Sequence, residues 1–298
     1  MSLVVWLLLY CWRKCIVTDF SQHELQGLLH DVINAAQAGG KIILAYFQGG
    51  FSQQVTIKSD QTPVTLADVA ANQAITAALK KIDSRIPILS EENDIPDFSV
   101  RQQWSRYWLV DPLDGTRGFI NRSAQFCVNI ALIENQVPTL GVIYAPVEKQ
   151  VCYAVRHAPA FFLQENQRES FQIKADKKMP NQMRLLTGHY DPRLTLKDAL
   201  RSYFGNVSIV KMNSALKFSM IARGMADLYV RFGSTSEWDT AAGQCILESA
   251  GGLVVDFQGN PLQYNAKSSL INPAFIAMGD VAQLQQYVAF VQQLEIKK

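Results

Sequence analysis

Trp108-Leu109-Val110-Asp111-Pro112-Leu113-Asp114-Gly115-Thr116 is the stretch on which the reading of this chain turns. An apolar run with the character of a buried strand ends in two carboxylates three residues apart. Carboxylates gathered at a strand end suit a hard cation such as Mg²⁺, which takes oxygen donors in tight octahedral geometry. Pro112 fixes the backbone between the acids, and Gly115 lets the chain approach a ligand closely. Thr116 follows at the start of a predicted helix, where free N–H groups favour a phosphate. Asp, Pro and Gly are also ordinary turn residues, so the segment alone leaves a surface turn open.

Three further segments shift that balance. Ile88-Leu89-Ser90-Glu91-Glu92 is an apolar run ending in adjacent carboxylates, or else a short strand before a solvated loop. In Glu237-Trp238-Asp239-Thr240-Ala241-Ala242-Gly243, Asp239 reads as the N-cap of a helix rich in small residues. Lys58 to Asp68 leads into an Ala-rich helix, with Thr65 and Asp68 spaced as a near capping box.

An acidic pair, then D-P-x-D-G-T, then W-D-x-A-A, in that order, resembles the lithium-sensitive, magnesium-dependent phosphomonoesterase superfamily of inositol monophosphatases, fructose-1,6-bisphosphatases and bisphosphate nucleotidases. The resemblance spans roughly residues 25–277. Within the superfamily the chain is most similar to the bacterial CysQ-type 3′(2′),5′-bisphosphate nucleotidases. Pro87 to Glu92, Arg106 to Asp111, Val128 to Ile133, Leu140 to Pro146, Ser214-Ala215-Leu216-Lys217-Phe218, Leu228 to Gly233 and Asn272-Pro273 carry that finer likeness. The chain departs from the pattern at Arg117-Gly118, where the family more often has Lys-Glu. It departs again around Ala158-Pro159-Ala160-Phe161, where the family usually turns on a glycine.

The resemblance implies a layered αβαβα sandwich, α+β in its first half and α/β in its second. It implies metal-assisted hydrolysis of a phosphomonoester, with two Mg²⁺ flanking the reacting phosphorus ~3.5–4 Å apart and a third, looser one. Glu91, Asp111 and the Leu113 carbonyl would hold the first metal. Asp111 would bridge to the second, which Asp114 and Asp239 complete. The third would sit near Asp68 and Glu91. Thr116 and Asp68 would pass on the proton of the attacking water, and the N–H groups of Gly115 and Thr116 would seat the phosphate. His189, Ser214, Lys217 and Arg231 match family positions that contact the nucleotide. Arg and Lys suit the phosphate that is not cleaved, the first as a planar fork and the second as a point charge. A surface-facing Lys217 and a structurally paired Arg231 are the plainer alternatives.

The implied reaction is adenosine 3′,5′-bisphosphate to AMP and phosphate, linked to nucleotide recycling in sulfur assimilation. An inositol or sugar monophosphatase using the same metals is the second reading. A non-catalytic, metal-gated nucleotide sensor is the third, disfavoured by the intact acids and Thr116.

Composition agrees with a globular enzyme: 298 residues, 48% hydrophobic and 18% charged. A net charge of +2 gives no reason to expect a nucleic-acid polymer as partner. The five cysteines lack paired metal spacing and read as reduced thiols of a cytoplasmic protein. The four histidines form no zinc-binding pattern. Leu3 to Trp12 is apolar but too short to span a bilayer. With Arg13 and Lys14 it reads as a peripheral anchor on the cytoplasmic face of the inner membrane or as a start-site artefact, and a nonessential extension is favoured. A monomer and a homodimer both fit.

The expected organisation is an apolar extension over 1–20, a metal-binding half over 21–165 and a nucleotide-recognition half over 166–298. Helices are expected over Glu24–Phe47 and Thr65–Lys81. Antiparallel strands are expected at Phe126–Ile133, Thr139–Tyr144 and Gln150–Arg156, with a turn at Glu134 to Gln136. The alternation then runs Met183–Gly188 strand, Leu194–Phe204 helix, Val207–Met212 strand, Ala215–Gly224 helix, Asp227–Phe232 strand, Asp239–Ala250 helix, Leu253–Asp256 strand.

Overall fold

The computed structural model describes residues 20–49, 55–57, 63–165, 167, 170–175, 182–188 and 194–295. The apolar extension therefore lies outside the described residues except for Phe20. Its N–H donates to Glu134 (3.0 Å), and its ring lies 3.8 Å from the Arg106 guanidinium.

Helix α1 (Gln22–Gly49) buries Leu25, Val32, Ala35, Ala36, Gly39, Gly40 and Ile43, one stripe at helical spacing. The mid-helix glycine pair has a packing reason. A Cβ at position 39 would lie 2.6 Å from Ile75, and one at position 40 would lie 2.2 Å from the Tyr144 ring. Only glycine lets α1 come so near both helix α2 (Leu66–Ile82) and the sheet beneath.

A two-stranded ribbon, β1 (Val55–Ile57) with β2 (Pro63–Thr65), precedes α2. The main sheet then assembles from β3 (Ile88–Ser90), β4 (Arg106–Asp114), β5 (Cys127–Glu134), β6 (Val137–Ala145), β7 (Gln150–Val155), β8 (Ala160–Gln164) and β9 (Phe171–Ile173), in that spatial order. Only β3 and β4 run parallel. The short helices α3 (Phe98–Arg101) and α4 (Thr116–Ile120) flank β4. The turn expected after β5 forms on two residues, Asn135 and Gln136, both at positive φ (48° and 68°), as a tight right-twisting hairpin requires. The β7–β8 hairpin closes without a glycine, because His157 takes the left-handed conformation at φ 64°.

The second sheet comprises β10 (Met183–Thr187), β11 (Val207–Lys211), β12 (Leu228–Arg231), β13 (Leu253–Asp256) and β14 (Phe275–Met278), in the order β11-β10-β12-β14-β13. Strand β10 is parallel to β11 and β12; β14 is antiparallel to its neighbours. Helices α5 (Leu194–Phe204), α6 (Leu216–Ala222), α7 (Ala241–Ser249) and α8 (Leu284–Glu295) complete the chain. The division placed after residue 165 falls between β8 and β9, two strands of one sheet.

Alternation along the strands builds the layers. On β5, Val128, Ile130 and Leu132 face the core shared with α1 and α2, while Cys127, Ala131 and Ile133 face that of α6 and α7. On β14, Phe275 and Ala277 join the central core, and Ile276 and Met278 pack with Tyr287, Phe290 and Val291 of α8. The result is the αβαβα sandwich the motifs imply. Among the described residues no helix is long and apolar enough to cross a membrane.

Candidate active site

The site forms where the two sheets meet across α6 and α7. Because β3 and β4 run parallel, their C-terminal ends lie side by side, and the Glu91 N–H donates to the Val110 carbonyl (3.1 Å). Asp111 is not at the strand end. It pairs with Asn129, and β4 continues through a bulge to Asp114, which pairs with Cys127. Three steps on β4 oppose two on β5, which turns both carboxylates into one space. Leu113 N–H donates to Asp111 Oδ1 at 3.0 Å.

Asp114 Oδ2 accepts from Asn129 Nδ2 (3.1 Å), from the Ala215 N–H and from Cys127 Sγ (3.9 Å). Asn129 escaped the sequence reading, although an Asn inside an apolar strand is itself a signal that a buried partner awaits it. Asp239 is not the N-cap expected of it. Ser236 caps a 3₁₀ turn over Glu237–Asp239, Asp239 is its third residue, and α7 begins only at Ala241. Asp239 Oδ2 accepts the Ser236 N–H at 2.7 Å.

Oxygens of Asp111, Asp114 and Asp239 all lie within 4.8 Å of one another. Glu91, Leu113, Gly115 and Thr116 line the same cavity, of about 420 Å³. Asp68 closes the group from the first turn of α2, where Thr65 and Asp68 complete the capping box. Thr116 Oγ1 lies within hydrogen-bond reach of both Asp68 Oδ1 (3.3 Å) and the Leu113 carbonyl (3.1 Å). Gly115 sits at φ +97°, and a Cβ there would lie 2.9 Å from the Gln125 carbonyl. That position admits only glycine without strain.

The wall of the cavity comes from the second half. Ser214, at φ 59°, lies against Gly115. Lys217 is not a surface residue: it is 6% exposed, and its Nζ donates to the carbonyls of Ser214 (2.6 Å) and Met212 (3.3 Å) above the Tyr229 ring. Helical spacing said nothing of the loop that covers it. Arg231 donates from Nε to the Gly233 carbonyl (3.2 Å) and from Nη2 to that of Ser234 (3.1 Å). His189 lies outside the described residues, and its neighbour Gly188 lines the cavity together with Arg117, Gly118 and Asn213.

Like charge in a desolvated space sets the electrostatics. Burial, then Glu91 and Asp114, hold the Asp111 carboxyl well above the usual range. Burial, then Asp114 and Glu91, do the same to Asp239. Asp114 is raised by burial against the opposing pull of Lys217. Asp68 is pushed up to about 6 by burial, against its Thr65 hydrogen bonds. Lys217 is pushed down to about 8 by burial, with Asp114 opposing. Oxygen-only donors that repel one another fit a hard divalent cation.

A stability prediction follows with a definite sign. Carboxyls whose folded pKa is raised bind protons more tightly than the unfolded chain does. They stabilise below the unfolded value, and that stability is lost as pH rises through the folded one. For Asp68 the window runs from 3.8 to about 6, and Asp111 and Asp239 extend it upward. Chelator-treated protein should therefore melt a few degrees lower at pH 8 than at pH 5, and added divalent cation should raise Tm more at pH 8. A Tm of chelated protein that does not fall between those pH values would contradict this electrostatic picture.

The inositol monophosphatase family profile matches residues 24–289. The 3′(2′),5′-bisphosphate nucleotidase CysQ of Escherichia coli O157:H7 is 42% identical over 248 residues, covering 83% of this chain and 98% of the relative. That of Aggregatibacter actinomycetemcomitans is 38% identical, covering 84% and 91%. Among solved structures, CysQ from Bacteroides thetaiotaomicron superimposes with a TM-score of 0.73 at 33% identity, covering 88% of this chain and 99% of the other. An IMPase from Thermotoga maritima gives a TM-score of 0.74 at 25% identity, covering 90% and 98%. With its acidic motifs converging on one cavity in this fold, the chain belongs to the inositol monophosphatase family.

Proposed function

We propose that this chain is a Mg²⁺-dependent 3′(2′),5′-bisphosphate nucleotidase that converts adenosine 3′,5′-bisphosphate to AMP and phosphate, a step of nucleotide recycling linked to sulfur assimilation. The carrying observation is one cavity with Asp111, Asp114 and Asp239 at its base and Ser214 and Arg231 on its wall. Glu91, Asp111, the Leu113 carbonyl, Asp114 and Asp239 would hold two Mg²⁺, and Asp68 with Glu91 would offer a third, looser position. When bound, these cations draw charge from the phosphoryl oxygens and acidify the attacking water.

The remaining work belongs to the chain. The N–H groups of Gly115 and Thr116 seat the phosphate to be cleaved. Thr116 Oγ1, held between Asp68 Oδ1 and the Leu113 carbonyl, accepts a proton from the attacking water and passes its own to Asp68. The water oxygen bonds to phosphorus, the P–O3′ bond breaks, and the nucleoside oxygen leaves and takes up a proton from solvent, to which Asp68 returns the one it received. Arg231 and Ser214 line the cavity wall that would face the nucleotide and its uncleaved phosphate; the family likeness assigns His189 and Lys217 to nucleotide recognition as well. The buried free thiols Cys127, Cys152 and Cys245 suit the reducing cytoplasm in which we place the enzyme.

The product identifies the reaction. Phosphorus NMR of adenosine 3′,5′-bisphosphate turned over with Mg²⁺ should show inorganic phosphate and 5′-AMP in equal amounts. Adenosine 3′-phosphate as product, or no phosphate release, would overturn the reading. Thr116→Ala should lower kcat by roughly 10²–10⁴-fold with KM changed only a few-fold, because a proton-relay contact is made mainly in the transition state. A loss confined to KM would make Thr116 a binding residue instead.

A further inference from the structure

Asp239 is held in place from behind. Its carboxylate shares a space with those of Asp111 and Asp114, and their mutual repulsion drives it outward. The segment that carries it is short: Ser236, the 3₁₀ turn Glu237–Asp239, then Thr240. Such a turn has poor hydrogen-bond geometry of its own, so its position depends on what packs against it.

What packs against it is the irregular loop over residues 264–272. Asn272 makes the most contacts. Its N–H donates to the Thr235 carbonyl (2.8 Å). Its side-chain amide lies within hydrogen-bond reach of the Ser236 carbonyl (2.6 Å), Thr240 Oγ1 (3.0 Å) and Thr235 Oγ1 (3.2 Å). The Glu237 N–H donates to the Leu270 carbonyl (2.8 Å), and Glu237 Oε2 accepts the Asn265 N–H (2.7 Å). Tyr264 Oη reaches Thr240 Oγ1 (3.2 Å) and Gln244 Oε1 (2.7 Å). The loop is anchored on its far side by Arg101, 2% exposed, whose guanidinium donates to Asn265 Oδ1 and to the carbonyls of Lys267 and Ser268. Asn265 Nδ2 returns a bond to the Arg101 carbonyl (2.5 Å). From α3 to Asp239 the contacts are continuous.

We infer that Asn272, backed by this loop, is a positioning residue for Asp239: it fixes the carboxylate against the repulsion of Asp111 and Asp114 and thereby sets cation affinity. The Ser236 N–H that grips Asp239 Oδ2 belongs to the residue whose carbonyl Asn272 holds. If that grip loosens, Asp239 swings away from its neighbours in the empty site, and each cation that binds must draw it back. The loss therefore appears in cation binding, and saturating cation recovers it. The inference rests on Asp239 being a cation ligand.

The test is Mn²⁺ binding by electron paramagnetic resonance without substrate, for the wild type, Asn272→Ala, Asn272→Ser and Asp239→Asn. Asn272→Ala should raise the Mn²⁺ Kd about tenfold, the scale of losing an outer partner of a metal ligand. Its kcat at saturating Mg²⁺ should return to within about threefold of wild type with substrate KM unchanged. Asn272→Ser keeps one donor and should fall between the two, and it supplies the same reading if the alanine variant does not fold. An unchanged Mn²⁺ Kd in the folded Asn272 variants, or a kcat that stays low at every cation concentration, would overturn the inference. If Asp239→Asn itself leaves Mn²⁺ binding intact, the ligand assignment fails, an outcome the Asn272 variants alone do not produce.

Discussion

Asp239→Asn should lower turnover at least about a thousandfold while the protein stays folded, and Asp114→Asn should do the same. Both carboxylates come from distant parts of the chain to within 4.8 Å of each other, where the proposed mechanism puts one cation, and an amide oxygen would bring no negative charge to it. The variants should differ in stability. Asp239 stands among like charges in a desolvated space, so neutralising it should raise the Tm of the chelated protein. Asp114 also balances the buried Lys217, and its removal leaves that ammonium without a carboxylate, so little or no gain is expected there. Thermal melts in chelator, beside activity in Mg²⁺, check both halves. Near-wild-type turnover in either variant would remove the two-cation assignment.

Arg231→Ala should cut kcat/KM for adenosine 3′,5′-bisphosphate by roughly 10–100-fold, the scale of charge-assisted hydrogen bonds to a phosphate. The cost for 3′-AMP, which lacks the second phosphate, should be under about fivefold. Arg231 donates to two carbonyls on one edge, and Nη1 lies on the Gly188 side of the cavity. Lys217 should behave differently from a simple phosphate ligand. Its ammonium is spent on the Met212 and Ser214 carbonyls, and Ser214 lies against Gly115. Lys217→Ala should therefore damage both substrates as well as the bisphosphate preference. Equal losses on both substrates for Arg231→Ala would mean that it supports the site generally.

The sandwich was legible because its signals are local. The apolar runs over 126–156, broken by the turn residues at 134–136, specified the antiparallel strands, and the spacing of Leu25, Val32, Ala36 and Ile43 specified α1. Strand β14 went unread because four buried residues make too short an apolar run for its period to tell strand from helix. The acidic residues that gather at the cavity were legible through the superfamily motifs, but their setting was not. The bulge between Asp111 and Asp114 is a property of pairing with β5. The capping of Asp239 by Ser236 depends on a loop some thirty residues further on. Lys217 reads as a surface position on a short helix, and only the packing of β12 and the 212–215 segment beneath it makes it a buried one. The part that escaped the sequence is tertiary: which groups hold the converging carboxylates in place, not which carboxylates converge.

The measurement that bears most directly on the nucleotidase reading is kcat/KM for adenosine 3′,5′-bisphosphate and inositol 1-phosphate, taken side by side with the wild-type protein in one Mg²⁺ buffer. In the proposed mechanism both substrates would use the same carboxylates and the same Thr116, so their ratio would report the cavity wall. A preference for the bisphosphate of at least about a hundredfold is predicted, since only that substrate engages charge-assisted contacts at Arg231. Equal or better turnover of inositol 1-phosphate would contradict the account and make the chain a monophosphatase.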